Sequence, residues 1–313
     1  MATDSNSNNH SDATSEPVES VDLRRYSLNG VVTRNPSLWT RPLQWTESNH
    51  LRALCVERQT GVATGGIITV NTLIPSLDPC TLGCLISTVR DRDASSLAKV
   101  MAWNDLLVFD GHAQGRTIRL AHGVPSIETS INNSTGPGVN TAAVPVPFSA
   151  YQTRIMKLRV GRGGAYQLPR LSSWRVGPSS VLCLLDSFHI SGVVRSHRPL
   201  RSYEPCIAAV LIALAQTAEG TDRHLPLQTT HLLFINRNDE NHVHVYTAYI
   251  SRALLRRFQL PNCLPPRFPR TAPLAVMQHR RVMYHPLDTF RSRILTAVSM
   301  GTTTMNPDDY FGG

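Results

Sequence analysis

Ser202-Tyr-Glu-Pro-Cys-Ile-Ala-Ala-Val-Leu-Ile-Ala-Leu-Ala215 decides the fold. Ser202 has the chemistry of a helix N-cap, and Pro205 is tolerated in a first turn. From Cys206 to Ala215 the run is apolar on every face, so the helix must be enclosed by protein. It is far too short to span a bilayer, which takes about 20 apolar residues. Gly220 is placed to end it.

Two strand-like segments follow, His231–Asn236 and Val243–Tyr249, joined by Arg237-Asn-Asp-Glu-Asn241. The Asn-Asp centre favours a tight hairpin. A loop of two or four residues pairs Ile235 with His242, Leu233 with His244 and His231 with Tyr246. Alternation then gathers Leu232, Phe234, Val243, Val245 and Tyr249 on one apolar face, which meets the helix. His231, His242, His244 and Tyr246 share the other face. Three histidines on one strand face are candidate metal ligands. The same residues also suit a partly exposed face of amphipathic aromatics. No acidic residue falls in register as an orienting partner for a metal-bound imidazole. Ser251 then caps a second helix with Ala253, Leu254, Leu255 and Phe258 inward and Arg252, Arg256 and Arg257 outward.

The pattern weakens away from this α-β-β-α core. Downstream, a proline-rich connection from Pro261 to Pro273 leads to short strands at Leu274–Met277 and Val282–Tyr284. A last helix begins near Pro286 and carries Phe290, Ile294 and Val298 at helical spacing. Upstream, Val181–Leu185 is a continuous apolar strand ending at Asp186, and Arg154–Val160 is an alternating one. Residues 130–147 have the Ser, Thr, Asn, Gly and Pro content of a linker. Before them the reading is coarse: a short helix at Leu51–Arg58, strands at Gly66–Val70 and Leu106–Phe109, and a helix at Ser95–Trp103. The expected organisation is a disordered acidic tail over 1–22, an N-terminal region over 23–128, a linker over 129–150, an α/β domain over 151–300 and a flexible tail over 301–313. The fold class is α/β in the α+β sense, a mixed or antiparallel sheet packed with helices.

The charge is unusual in kind. Lysine occurs only at Lys99 and Lys157, so 29 of the 31 basic residues are arginine. P-loop, kinase and Schiff-base chemistries each need a lysine in a defined setting, and neither position has one. Ser96-Leu-Ala-Lys99 lacks the companion motifs of a serine acyl-enzyme. No Gly-x-Ser-x-Gly, His-Glu-x-x-His, Glu-x-Lys or Asp-x-Lys occurs, and no cofactor fingerprint, so no cofactor is expected. The net charge of +9 favours acidic partners, nucleic acid or an acidic protein. Codon usage in a GC-rich genome would also write arginine for lysine. Between Glu128 and Asp186 there is no acid, and Arg154, Lys157, Arg159 and Arg162 alternate with apolar residues before a glycine turn. Arg252, Arg256 and Arg257 begin a second acid-free stretch. These seven are the candidate polyanion-binding residues. The competing account is a solvated edge strand, where basic side chains discourage aggregation.

The first residues carry neither a basic region nor an apolar segment, so a secretory signal is not expected. No apolar run suits a membrane span, and the cytoplasm or nucleus is the expected compartment. Cys55, Cys183, Cys206 and Cys263 read as buried thiols. The one close pair, Cys80 and Cys84, reads as packing because no second pair accompanies it.

Tyr203-Glu-Pro-Cys-Ile-Ala-Ala-Val-Leu-Ile-Ala-Leu-Ala-Gln216, Leu232-Leu-Phe-Ile-Asn-Arg237, His242-Val-His-Val-Tyr-Thr-Ala-Tyr-Ile250 and Leu254-Leu-Arg-Arg-Phe258, in that order, resemble uncharacterised proteins of filamentous fungi over residues 165–298. The resemblance implies no activity and no catalytic residue. The sequence therefore points to a non-catalytic intracellular binding or accessory protein that contacts nucleic acid or another polyanion. Two alternatives stand beside it. One is a divergent metal-dependent hydrolase or nuclease using Asp186, Glu204, Asp239 and Glu240 or the histidines. The other is a viral or self-assembling structural protein.

Overall fold

The computed structural model describes residues 27–28, 45, 51–60, 78–91, 93–107, 148–151, 156–168, 172–176, 180–188, 190, 202–218, 227–262 and 273–303. In chain order these form β1 (Val56–Thr60), α1 (Pro79–Arg90), α2 (Ser96–Leu107), β2 (Phe148–Tyr151), β3 (Lys157–Val160), β4 (Gly164–Gln167) and β5 (Ser172–Val176). Then come β6 (Ser180–Asp186), α3 (Glu204–Ala218), β7 (Leu227–Ile235), β8 (His242–Ser251), α4 (Arg252–Gln259), β9 (Ala275–Met283) and α5 (Phe290–Thr303).

Seven strands make one mixed sheet in the order β1-β9-β8-β7-β6-β5-β2, and β3 and β4 form a separate hairpin. The fold is of the α+β class. β1, β9, β7, β6 and β2 run one way, and β8 and β5 run against them. β1 lies parallel to β9 at the sheet edge, and α1 and α2 cover one of the sheet's faces. Elements from residues 56–107 and from residues 151–303 thus share one sheet and its packing. The expected tail over 1–22, the 130–147 linker, the strand at Gly66–Val70 and the last residues after 303 lie outside the described residues.

Helical layers cover both faces. On the first face, α3 packs its all-apolar surface against Cys183, Leu185, Leu232, Phe234, Ala248 and Ile250, with α4 and the β3–β4 hairpin beside it. On the second, α1, α2 and α5 close over Leu182, Leu184, Leu233, Ile235, Val243 and Val245. A helix apolar on all sides is explained by this position, because its outer surface is itself roofed by the hairpin and α4. The Ser202 hydroxyl accepts from the Glu204 amide at 3.2 Å, and Ser251 accepts from the Leu254 amide at 3.2 Å, so both expected caps are made.

The β7–β8 register corrects the expected one by a single residue. Phe234 faces His244, Leu232 faces Tyr246 and His231 faces Thr247. The Asn236–Asn241 turn is closed by the Asp239 amide on the Asn236 carbonyl at 2.9 Å and by the Asn236 and Asp239 side chains on the amides of Asn238 and Asn241. The nine residues between the last paired positions, Phe234 and His244, are an odd number, not an even one, and a one-residue slip turns a whole strand over. Val243, Val245 and Tyr249 therefore leave the α3 face, and Tyr246, Ala248 and Ile250 take their place.

Three other expectations need correcting. Leu51–Arg58 is one helical turn followed by β1, with Cys55 at φ 54° between them. Leu106 and Leu107 belong to the last turn of α2, not to a strand. The two short strands after Leu274 are one strand, β9, since the polar run Gln278-His-Arg-Arg281 stays in the ladder, paired with Thr247, Tyr246, Val245 and His244 of β8.

Candidate functional site

The β3–β4 hairpin is amphipathic. Leu158 and Val160 point into the core over α3, while Lys157 and Arg159 alternate outward, and Arg162 is exposed in the turn. Gly161 holds a left-handed φ of 64°, and a side chain at Gly164 would meet the Val160 carbonyl at 2.7 Å, so this short turn requires its glycines. Two contacts fix the hairpin. The Gln216 amide of α3 brackets Arg159, donating to its carbonyl and accepting from its amide at 2.9 Å each. The Gly161 amide donates to the Phe258 carbonyl of α4 at 2.6 Å.

That last bond joins two basic segments about a hundred positions apart in the chain. Arg252 and Arg256 are exposed one turn apart on α4, beside the hairpin that carries Lys157, Arg159 and Arg162. Arg257 departs from expectation. It is only 2% exposed, because it lies on the same side of the helix as Leu254 and Phe258. Its guanidinium sits beside the Cys55 thiol, and burial pulls its pKa below the usual arginine value. Arg154 lies outside the described residues.

The three candidate histidines are not brought together. His231 is fully buried on the second face, its Nδ1 3.1 Å from the Thr247 hydroxyl. Burial pushes its pKa down to about 3, and the Arg280 cation adds to the effect. His242 and His244 lie on the first face, where the missed partner is His279 of β9. His244 Nδ1 is 2.9 Å from His279 Nε2, and the His279 ring stacks on Tyr246 with centroids 4.4 Å apart. The orienting acid that strand register did not supply comes from the turn: Asp239 Oδ1 is 2.8 Å from His242 Nδ1, and Oδ2 is 3.2 Å from His244 Nε2. Burial would raise Asp239, but the hydrogen bond and charge of His242, with His244, hold it below the usual carboxylate range. Burial lowers His244 as well, and pushes His279 down to about 4 with help from His244 and two arginines. Both imidazoles are thus neutral near pH 7. Among the described residues, no group of three His, Cys, Asp or Glu side chains is arranged to hold a metal ion.

The acids proposed as a catalytic cluster are likewise separate. Glu204 pairs with Arg58 at 2.8 Å on the first face. Asp186, at the end of β6, is buried on the second face and binds Lys99 Nζ at 2.8 Å, with Arg237 Nε 3.6 Å away. Lys99 is 3% exposed and was legible only as one of two lysines. Beside this pair, a cleft of about 500 Å³ opens between α1, the β7–β8 turn and the segment after β9. Cys80 and Cys84 are exposed on α1, which corrects their reading as packing; Cys183 and Cys206 are buried as expected, Cys55 is half-buried and Cys263 lies outside the described residues.

No protein-family model, curated protein or solved structure matches the chain. Among the described residues, no helix is long and apolar enough to cross a membrane.

Proposed function

We propose that the chain is a non-catalytic binding protein that docks on nucleic acid through the outer surface of the β3–β4 hairpin and α4. The observation that carries this reading is the 2.6 Å bond from Gly161 to Phe258, which makes one surface of two acid-free segments. Lys157, Arg159, Arg162, Arg252 and Arg256 are exposed on it. No Asp or Glu occurs from residue 129 to 185 or from residue 241 to 287, so no carboxylate of these segments competes for the guanidinium groups. Arginine binds phosphate through paired, planar donors, and cations that neutralise phosphates release condensed counterions, which favours association at low salt. The five side chains are cations suited to phosphates, so the reading is one of backbone contact without sequence preference. The cytosol or nucleus is the compartment that goes with it, and the free thiols of Cys183 and Cys206 agree.

Fluorescence anisotropy with random-sequence single-stranded RNA and duplex DNA at low salt tests the reading. Saturable binding that weakens at least tenfold when Lys157, Arg159, Arg252 and Arg256 are changed together to Gln supports it. Undiminished binding by that variant, or none by the wild type, rejects it. Binding of an acidic peptide in place of both nucleic acids would reassign the surface to a protein partner.

A further inference from the structure

Cys80 and Cys84 stand one helical turn apart on α1, and both are exposed. The buried side of α1 carries Leu82, Ile86 and Val89. Positions four apart share a helix face, so the two thiols sit together on the opposite, solvent side.

A formed helix holds that spacing. Asp78 is its N-cap: the carboxylate accepts from the Thr81 amide at 2.9 Å, and the carbonyl accepts from the Leu82 amide at 2.9 Å. Cys80 therefore lies inside the first turn. The hydroxyls that flank the thiols are engaged. Thr81 Oγ1 donates to the Asp78 carboxylate at 3.2 Å, and Thr88 Oγ1 donates to the Cys84 carbonyl at 3.0 Å.

Thiols at this spacing do not close on each other. Cβ atoms four positions apart on a helix are about 5–6 Å apart, whereas a disulfide needs about 3.5–4.5 Å. The cap and the buried side of α1 oppose the unwinding that a disulfide would require. One ion between the sulfurs fits the wider gap. Thiolates are soft ligands and select Cu(I) and Zn(II). Coordination number decides between these two. Structural Zn(II) takes four ligands in a tetrahedron. Among the described residues, no group of three His, Cys, Asp or Glu side chains is arranged around an ion, so α1 offers two sulfurs and no third ligand. Cu(I) has a filled d shell and is satisfied by two thiolates in line. Its complex with two thiolates is an anion, which the first turn of a helix favours.

We propose that Cys80 and Cys84 form a two-coordinate site for Cu(I). Each thiol gives up its proton to solvent as its sulfur bonds the ion. The copper arrives and stays as Cu(I), so no electron is transferred. The site belongs to the helical layer on the second face and is separate from the nucleic-acid surface of the hairpin and α4.

Anaerobic titration of the reduced full chain with Cu(I), in competition with the chromogenic chelator bicinchoninate, tests the proposal. The chain is expected to withhold one Cu(I) from the chelator, and X-ray absorption of the loaded protein is expected to show two sulfur neighbours. Cys80→Ser and Cys84→Ser each remove one of two linked anchors, and each is expected to weaken retention at least about a hundredfold. Both positions are exposed, so the copper-free variants should melt with the wild type. In the wild type, bound Cu(I) should protect both thiols from iodoacetamide, read by peptide mass. No retention by the wild type, or equal retention by the double variant, overturns the proposal. Labelling of Cys80 and Cys84 unchanged by Cu(I) overturns it whatever the variants do. Three or four sulfur neighbours, or one ion shared by two chains with a doubled mass in light scattering, overturns the two-coordinate site.

Discussion

Arg256 and Arg257 are neighbours in the chain with opposite fates, and the contrast extends to two regions of the molecule. On the hairpin and α4, basic side chains are exposed and free to meet a partner. Along the second face and the carboxyl edge, Lys99, Arg237, Arg280 and Arg293 are absorbed into the structure by Asp186, by Gln278 and by backbone carbonyls. A net charge of +9 counts both groups alike. Under the proposed function the first group meets the polyanion, whereas the second is held by the protein's own acceptors and its loss costs stability.

The largest difference between the regions should appear at Asp186. Asp186→Ala leaves Lys99 buried without its partner, a change that costs about 3–5 kcal/mol. Arg252→Ala, on the exposed surface, should stay within about 0.5 kcal/mol of wild type. Urea denaturation of the two variants measures both, and equal values would dissolve the distinction. The adjacent arginines sharpen it: Arg257→Ala removes a buried side chain and should cost about 2 kcal/mol, while Arg256→Ala should be neutral.

Acid should act on the buried histidines. The folded-state pKa of His231 is depressed from 6.5 to about 3, so the unfolded chain binds the extra proton between those values. Stability from this group is complete above pH 6.5 and is lost as pH falls towards 3. The loss amounts to about 2 kcal/mol at pH 5. His279 and His244 act in the same direction. Denaturation midpoints at pH 8 and pH 5 should show the fall, and His231→Leu should reduce its slope. A slope that His231→Leu leaves intact would assign the effect elsewhere.

The sequence was most legible where one local signal suffices. The α3 helix, both serine caps and the alternation of β3 follow from composition and period. Register was not legible, because loop parity was decided by side-chain bonds of Asn236 and Asp239 within a turn of several polar residues. That one-residue slip carried the histidine site with it: His231 went to the opposite face, and His279 arrived from a strand whose polar centre hid it. β1 was masked by helix-compatible residues, and its strand character comes from pairing with β9, more than 200 positions away. Lys99 and Asp186 gave the faintest signals, a rare residue type and a carboxylate ending an apolar strand. Their meeting depends on the packing of α2 against β6, which no local pattern encodes. The exposed basic surface was half legible, since the segments were visible but their contact through Gly161 and Phe258 was not.

The smallest effects concern single surface residues. Each Arg→Gln change on the hairpin or α4 should lower the slope of log Kobs against log salt by about 0.7–0.9, with no change in stability. The most direct test of the account is that slope for single-stranded RNA, measured for the wild type and for the variant with Lys157, Arg159, Arg162, Arg252 and Arg256 all changed to Gln. The account predicts a wild-type slope of about −3.5, most of which the variant loses. A wild-type association indifferent to salt, or a variant with the full slope, would contradict it.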